Sequence, residues 1–278
     1  MQIIRTAAEL RTLLGGKPRP VLVPTMGNLH AGHLSLVRIA RERGGLVVTS
    51  IFVNRLQFAP HEDFATYPRT FERDCELLAG NGCDIVFAPA DAEMYPEAQG
   101  YMVHPPHGLA DILEGQVRPG FFTGVCTVVL KLFNMVEPAA AVFGKKDYQQ
   151  LLVIRSMVRQ LALPIELVAA ETVRDASGLA LSSRNGYLND SERAEAAQLH
   201  AALSKLVAEA KTGRTVWQRL EREAQESLTT RGWRPDYVVI RRQSDLREPI
   251  GEPSLHVPLV ALAAARLGGT RLIDNLEI

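Results

Sequence analysis

Short apolar runs alternate with helix-like segments through the first 170 residues, and this alternation constrains the fold more than any other feature. Five runs rich in Val, Ile and Phe lie at residues 20–24, 46–54, 83–89, 139–144 and 164–170. The segments between them that carry apolar residues near helical spacing are 33–43, 69–79, 124–136 and 147–161. Strands that alternate with helices predict an α/β fold with a doubly wound parallel sheet, whose ligands bind at the carboxyl ends of the strands.

The pattern changes after residue 172. Two charged amphipathic helices, at 191–211 and 216–229, are followed by three short apolar segments that are typical of strands. Helices followed by clustered strands favour an α+β domain with an antiparallel sheet. We therefore expect two domains, 1–173 and 174–278. The first fourteen residues, which mix apolar and charged side chains, are interpreted as a helix.

Charge and cysteine content exclude several classes of protein. Lys plus Arg and Asp plus Glu both number 31, so no net field favours nucleic acid or an anionic membrane. Cys75, Cys83 and Cys126 form no CxxC pair, which predicts reduced, packed thiols. The most apolar stretch, 257–265, is too short to span a bilayer. We expect a cytoplasmic protein that binds neither nucleic acid nor membrane.

The segment PTMGNLHAGH at 24–33 follows a predicted strand and precedes a helix. Backbone N–H groups and the positive end of the helix dipole at such a point form an anion site. His30 and His33 are three residues apart, so both imidazoles can donate to one phosphate. The glycine spacing imitates a Walker phosphate loop, but His33 stands where Lys belongs and Leu34 where the hydroxyl belongs. A pair of surface histidines and half of a metal site remain the alternatives.

Two further polar segments extend the same pattern. FGKKDYQQ at 143–150 ends another predicted strand, where a Lys can reach a phosphate and Asp147 can cap the helix or help hold a metal-bound nucleotide. RDASGLALSSRN at 174–185 is a small-residue loop that can close over a triphosphate. Taken alone, the first segment favours a solvated, charged helix start, and the second is at least as typical of a helix cap or a turn.

A fourth segment, SIFVNRLQF at 50–58, ends a strand with the amides of Asn54 and Gln57 among apolar neighbours. Amides supply hydrogen-bond donors and acceptors without charge, which suits a hydroxylated organic acid. Phe52 and Phe58 belong either to the core or to the wall of a pocket.

Together these segments resemble the pantothenate synthetases, the pantoate:beta-alanine ligases of the HxGH nucleotidyltransferase superfamily. The resemblance extends from Val23 to LIDN at 272–275. HxGH alone would indicate only a superfamily that also contains adenylyltransferases and class I aminoacyl-tRNA synthetases. Its pairing with KDYQQL and LSSRN is specific to the ligase family.

The resemblance implies a Rossmann-like N-terminal domain, a smaller C-terminal domain that covers the site as a lid, and a homodimer. It implies pantoate and beta-alanine as substrates, with ATP and Mg2+, whose ligands it does not assign. Gln57 and Gln150 match the residues that hold pantoate, and we add Asn54 to the substrate site. His33 matches the usual proton donor, and His30, Lys146 and Arg184 complete the expected catalytic set. The residues expected to bind ATP are Met26, Gly27, Asn28, Leu29, His30, Ala31, Gly32, His33, Gly144, Lys145, Lys146, Asp147, Val173, Leu181, Ser182, Ser183 and Arg184.

Three positions depart from the family pattern. Arg55 replaces a common Pro, Lys145 a common Glu and Phe121 a common His. The first two add positive charge near the expected pocket, and the third removes a polar group.

The function expected is condensation of (R)-pantoate with beta-alanine through a pantoyl adenylate, with release of AMP and pyrophosphate. An adenylyltransferase that keeps AMP on its product is the nearest alternative, and amine-dependent amide formation separates the two. A regulatory nucleotide-binding protein would be expected to lose the site's cations, which this chain retains.

Overall fold

A computed structural model of the chain describes residues 1–60, 62–213, 216–249 and 257–278. The chain divides into two compact units. The first consists of Met1–Lys145 and Val153–Glu171, and the second of Lys146–Leu152 and Thr172–Ile278. The second unit thus includes a short segment that the predicted boundary at 173/174 assigns to the first domain, and that boundary stays a prediction.

The first unit is built on a parallel sheet of six strands. Its strands are β1 (Gln2–Ile4), β2 (Val21–Thr25), β3 (Val47–Ile51), β4 (Ile85–Phe87), β5 (Ala140–Gly144) and β6 (Glu166–Ala170). The strand order is β1-β4-β3-β2-β5-β6, so the order reverses between β2 and β5. The predicted doubly wound α/β sheet is confirmed. The interpretation of the first residues as one helix is wrong at Gln2–Ile4, which pair with β4 before the helix begins.

Helices connect these strands. They are α1 (Ala7–Leu14), α2 (Ala31–Glu42), α3 (Phe71–Ala79), α4 (Asp91–Met94), α5 (His107–Ala110), α6 (Glu114–Val117), α7 (Phe121–Val136) and α8 (Tyr148–Gln160). Single 3₁₀ turns lie at Arg55–Gln57 and Lys145–Asp147. The core contains the apolar residues of the central strands and the inward faces of α2, α3 and α7, and all three cysteines are buried.

The second unit contains α9 (Asp190–Ala210) and α10 (Trp217–Thr230), preceded by a 3₁₀ turn at Ser183–Tyr187. Its antiparallel sheet has the order β7-β8-β9, with β7 at Arg234–Arg242, β8 at Leu259–Leu267 and β9 at Thr270–Glu277. Both predicted helices and the three strands are present, although residues 255 and 256 of the second predicted strand lie outside the described residues. No helix among the described residues is long and apolar enough to cross a membrane.

Candidate active site

The strand order reverses between the central strands β2 and β5. In a doubly wound fold the ligand binds at such a reversal, outside the carboxyl ends of the strands. The HxGH segment directly follows β2, and Gly144 and Lys145 end and follow β5. The 3₁₀ turn that carries Gln57 follows β3, the next strand along the sheet. The first unit therefore presents these predicted site segments at the carboxyl ends of three neighbouring strands.

The turn after β2 is held by a carboxylate that lies far away in the sequence. Gly27 and Asn28 have positive φ angles of 80° and 51°, which turn the backbone sharply towards α2. The amides of Asn28 and Leu29 donate to the two carboxylate oxygens of Asp74, each at 2.8 Å. Thr70 donates to the same carboxylate, and Asp74 is only 1% exposed. The close packing reaches Gly27, where a side-chain Cβ would lie 3.1 Å from Asp74 Oδ2.

The two histidines cap the start of α2. The amide of Gly32 donates to His30 Nδ1 at 3.1 Å, and the amide of His30 donates to His33 Nδ1 at 3.4 Å. The rings lie with their centroids 4.1 Å apart. An Nδ1 that accepts a hydrogen bond carries no proton, so each neutral ring carries its proton at Nε2. Both imidazoles thus have their donor on the nitrogen that does not cap the helix.

The sequence interpretation expects the backbone amides of this turn to bind an anion, and in the structure several of these amides donate within the chain. The amide of Gly27 donates to Thr25 Oγ1, and those of Asn28, Leu29, His30 and Gly32 donate to the side chains described above. These five donors are occupied within the chain. The anion contacts expected of residues 26–33 stay a prediction.

Asn54 positions Gln57. Its Nδ2 donates to Gln57 Oε1 and to the carbonyl of Gly124, both at 3.1 Å, and its Oδ1 accepts from Tyr95 Oη at 2.6 Å. Asn54 is 1% exposed and holds Gln57 through these bonds, and the substrate contact expected of Asn54 stays a prediction. Gln57 itself is half-buried, and its Nε2 donates to Met26 Sδ at 3.2 Å.

Arg118, which directly follows α6, braces the same turn. Its guanidinium donates to both carboxylate oxygens of Glu62, at 2.6 and 2.8 Å, and to the carbonyl of Gln57 at 3.1 Å. The ring of Phe121 lies against this guanidinium, 3.7 Å from ring centroid to Cζ, which is the geometry of a cation–π contact. Phe121, where the resemblance leads us to expect His, thus packs against the residue that binds the Gln57 carbonyl.

The other two departures also have local partners. Lys145 forms an ion pair with Glu171 at 2.6 Å, so its extra charge is offset within the first unit. Arg55 lies over the ring of Tyr95, 5.5 Å from its centroid. A cavity of about 280 Å³ opens beside Met26 and Gly27 and is bounded by the ends of β3 and β4.

The second unit carries the remaining predicted residues on two segments. The first, Lys146 to Gln150, is attached to β9: the side chain of Asn275 donates to the Lys146 carbonyl at 2.9 Å, and Tyr148 donates to Glu277 at 3.2 Å. The side chains of Lys146 and Asp147 are 21% and 49% exposed. Gln150 is half-buried.

The second segment is a hairpin that leads into the 3₁₀ turn at Ser183–Tyr187. The amide of Leu181 donates to the Val173 carbonyl at 3.0 Å, and Arg174 and Ala180 form a bridge inside that pair. Ser182 Oγ accepts from the amide of Arg184 at 3.2 Å and so starts the turn. Leu181 to Arg184 are therefore held at the end of a hydrogen-bonded hairpin.

Several contacts that hold these segments in place are not part of the sequence interpretation. Asp74 and Tyr95 hold the segments of the first unit, and Asp274 and Asn275 hold those of the second. Asp74 stands in the first turn of α3, where an acidic residue is ordinary. The LIDN motif belongs to the resemblance, but nothing local in it indicates a bond to Lys146.

Comparisons with known proteins agree over the whole chain. The family model for pantoate-beta-alanine ligase matches residues 2–277. The pantothenate synthetase of Leptothrix cholodnii is 60% identical over 285 residues, which cover 100% of both chains. A crystal structure of pantothenate synthetase from Thermus thermophilus is 46% identical with a TM-score of 0.92, covering 99% of each chain.

A third relative was solved with ligands. The pantoate-beta-alanine ligase from Francisella tularensis, complexed with beta-gamma ATP and beta-alanine, is 30% identical with a TM-score of 0.83. The match covers 99% of this chain and 97% of that one.

Proposed function

The chain belongs to the pantoate–beta-alanine ligase family and is a ligase of that class, and we propose that it forms pantothenate through an enzyme-bound pantoyl adenylate. The substrates are ATP, (R)-pantoate and beta-alanine, and the released products are pyrophosphate and AMP. The Francisella tularensis relative, solved in complex with beta-gamma ATP and beta-alanine, supports ATP and beta-alanine as ligands of this chain. The observation that carries the proposal is the pair of histidines whose Nδ1 atoms cap α2 and whose protons lie at Nε2.

Two bond exchanges account for the reaction. In the first, a carboxylate oxygen of pantoate bonds to the α-phosphorus of ATP, and the bond between that phosphorus and the bridging oxygen to the β-phosphate breaks. Pyrophosphate leaves with the electron pair. In the second, the neutral amine of beta-alanine bonds to the acyl carbon, the bond from this carbon to the phosphate oxygen breaks, and AMP leaves. The amine loses one proton, and the product is an amide.

The first exchange brings two anions together, so the site must supply positive charge where negative charge accumulates. We assign this role to the Nε2 donors of His30 and His33 and to the cations of Lys146 and Arg184. His33 is the proton donor in this assignment. We assign the ATP contacts to four parts of the chain: Met26 to His33, Gly144 to Asp147, Val173, and Leu181 to Arg184.

Pantoate is assigned to Gln57 and Gln150. The neutral amide of Gln57 can bond to a hydroxyl or carboxylate oxygen without adding charge, and Asn54 and Arg118 hold it in place. A fixed amide orients the pantoate carboxylate for attack, and correct orientation supplies much of the rate gain when two substrates react.

Mg2+ is expected to enter with the nucleotide. No group of three or more His, Cys, Asp or Glu side chains that could hold a metal ion is found in the described parts of the chain. Asp147, with a half-exposed side chain, is the carboxylate that can contribute to such an ion. When bound, Mg2+ neutralises charge on the phosphates. The homodimer implied by the resemblance and the cytoplasmic location expected from the sequence remain proposals.

The test is product analysis. Purified protein is incubated with ATP, magnesium and pantoate, with and without beta-alanine, and AMP, pyrophosphate and pantothenate are quantified by chromatography. With beta-alanine present, we expect pantothenate and AMP in equal amounts. Without beta-alanine, the reaction should not proceed beyond the first turnover. A stable AMP conjugate that accumulates regardless of the amine would instead support an adenylyltransferase.

A further inference from the structure

We infer that Asp274 and Asn275, neighbours on β9, are positioning residues that hold the two nucleotide-binding segments of the second unit in one register. The inference rests on the proposed function only for the identity of the ligand, ATP. Neither residue is among the groups assigned to touch a substrate. Each acts through another segment: Asn275 through Lys146, and Asp274 through Arg174 and the hairpin that leads to Arg184.

Asn275 anchors the Lys146 segment. Its Nδ2 donates to the Lys146 carbonyl at 2.9 Å, and the side chain is 6% exposed. Two residues further along the same strand, Glu277 accepts from Tyr148 Oη at 3.2 Å. Residues i and i+2 of a strand point to the same face, so the two bonds attach one face of β9 to both ends of the Lys146–Tyr148 segment.

Asp274 anchors the hairpin. Its two carboxylate oxygens accept from the two terminal nitrogens of Arg174, at 2.7 and 2.8 Å, in a bidentate pair. Arg174 also donates to the carbonyls of Gly178 and Asn275, at 3.1 and 3.2 Å. The Arg174 guanidinium thus binds both β9 and the tip of the hairpin. The Leu181–Arg184 segment begins where this hairpin ends.

The burial of Asp274 shows that this contact is more than a surface ion pair. Asp274 is 4% exposed, and its strand neighbours on the same face, Leu272 and Leu276, pack in the apolar core of the second unit. An ionised carboxylate in such a place is costly unless it is paired. Arg174 supplies one charge partner, and His200 Nδ1 lies 3.5 Å from Asp274 Oδ2.

The hairpin is also fitted closely around this network. Gly178 has a φ of +92°, and a Cβ at this position would lie 2.7 Å from His200 Cδ2. Because adjacent residues of one paired strand bind both segments, displacement of β9 side chains moves the backbone that carries Lys146 and Arg184. Displacements on the order of 1 Å in positioning elements can cost about a hundredfold in rate.

The decisive variant is Asn275→Ala, which removes the bond to Lys146 and leaves the catalytic side chains in place. Binding of α,β-methylene-ATP with magnesium is measured by titration calorimetry on the full chain, and the KM for ATP and the kcat are measured separately. We expect affinity for the analogue to fall about tenfold, equivalent to about 1.4 kcal/mol, with the KM for ATP rising in parallel. The KM for beta-alanine should stay within about twofold of wild type.

Asp236→Asn is the matched control. Asp236 lies on β7 of the same sheet, and its carboxylate binds Arg271 at 2.6 Å, so the substitution weakens a partly buried ion pair without touching either nucleotide-binding segment. We expect its nucleotide affinity to equal that of wild type. Equal losses in Asn275→Ala and Asp236→Asn, or no loss in Asn275→Ala, would overturn the inference.

A second variant covers the other anchor. Asp274→Asn keeps the size of the side chain and weakens the Arg174 pair, and it should lower both nucleotide affinity and thermal stability. If it is too unstable to study, the Asn275→Ala comparison decides alone. The proposed function can be refuted independently of this inference. If wild-type protein binds the analogue but makes no pantothenate, the proposed function is refuted, and the effect of Asn275→Ala on binding of the analogue still tests the positioning role.

Discussion

Removal of the Asp74 carboxylate should loosen the turn that carries both histidines. The carboxylate accepts the amides of Asn28 and Leu29 at 2.8 Å each, and Leu29 is 1% exposed. In Asp74→Ala both amides lose their acceptor at a site largely closed to water. A buried donor without a partner costs about 1–3 kcal/mol, so the pair should cost about 2–6 kcal/mol of unfolding free energy.

Asp74→Asn is the more informative change because it preserves size. An amide has one acceptor oxygen and presents donors where the second oxygen was, so one of the two backbone amides faces a donor. We expect a loss of about 1–3 kcal/mol. The thermal midpoint should fall by about 2–4 °C per kcal/mol, and kcat/KM for ATP should fall at least about tenfold because the histidines are displaced.

Glu72→Gln is the matched control for this experiment. Glu72 is exposed in the first turn of the same helix, so its substitution removes the same charge from the same helix end. Differential scanning calorimetry and steady-state kinetics on wild type and the two variants separate the effects. If Asp74→Asn and Glu72→Gln shift the midpoint and kcat/KM equally, Asp74 acts through helix charge and the assigned role in the turn is refuted.

Three other predictions follow from the same structure. Lys146→Ala should lower kcat for pantothenate formation by about a hundredfold or more, with an unchanged circular dichroism spectrum; turnover within about threefold of wild type would contradict its role. Burial favours a raised pKa for Asp274, but the nearby His200 imidazole and the hydrogen-bonded Arg174 guanidinium hold the pKa below its ordinary value of 3.8. The Asp274 carboxylate therefore stabilises the folded state above that value, and this stabilisation is lost as the pH falls through the depressed pKa. In Asp274→Asn, the free energy of unfolding should depend less on pH in the acid range, as measured by urea unfolding from about pH 6 to about pH 3. Gly124→Ala should raise the KM for pantoate at least about tenfold. The added Cβ would lie 2.2 Å from the Leu56 carbonyl oxygen, in the turn that carries Gln57. Gly100→Ala is the control and should leave this KM unchanged, because a Cβ at Gly100 has open space around it.

Most of the fold could be predicted from the sequence because its elements have strong local periods. Each of the five apolar runs overlaps a strand of the parallel sheet, and the six helical segments predicted between residues 33 and 229 begin and end within a few residues of helices in the structure. Strand β1 could not be predicted in this way because three residues show no period, and the partner that defines them, Ile85–Phe87, lies more than 80 positions away along the chain.

For the candidate site, the sequence could predict the positions of the residues in the motifs but not the partners that hold them. Residues that follow a strand, such as His30 and Gln57, could be located from motif and position alone. Their supporting partners could not, because Asp74 binds a turn 45 and 46 residues away and Asn275 binds a carbonyl 129 residues away. The sequence also could not show that backbone amides at the helix start are satisfied by side chains.

The adenylate intermediate is tested most directly by following oxygen. Pantoate labelled with 18O in both carboxylate oxygens is turned over with ATP, magnesium and beta-alanine, and AMP, pyrophosphate and any phosphate are analysed by mass spectrometry. An adenylate requires that one labelled oxygen remain on AMP when the amine displaces it, so AMP should carry one 18O atom per turnover. Unlabelled AMP, or 18O in inorganic phosphate with ADP as the co-product, would contradict the mechanism.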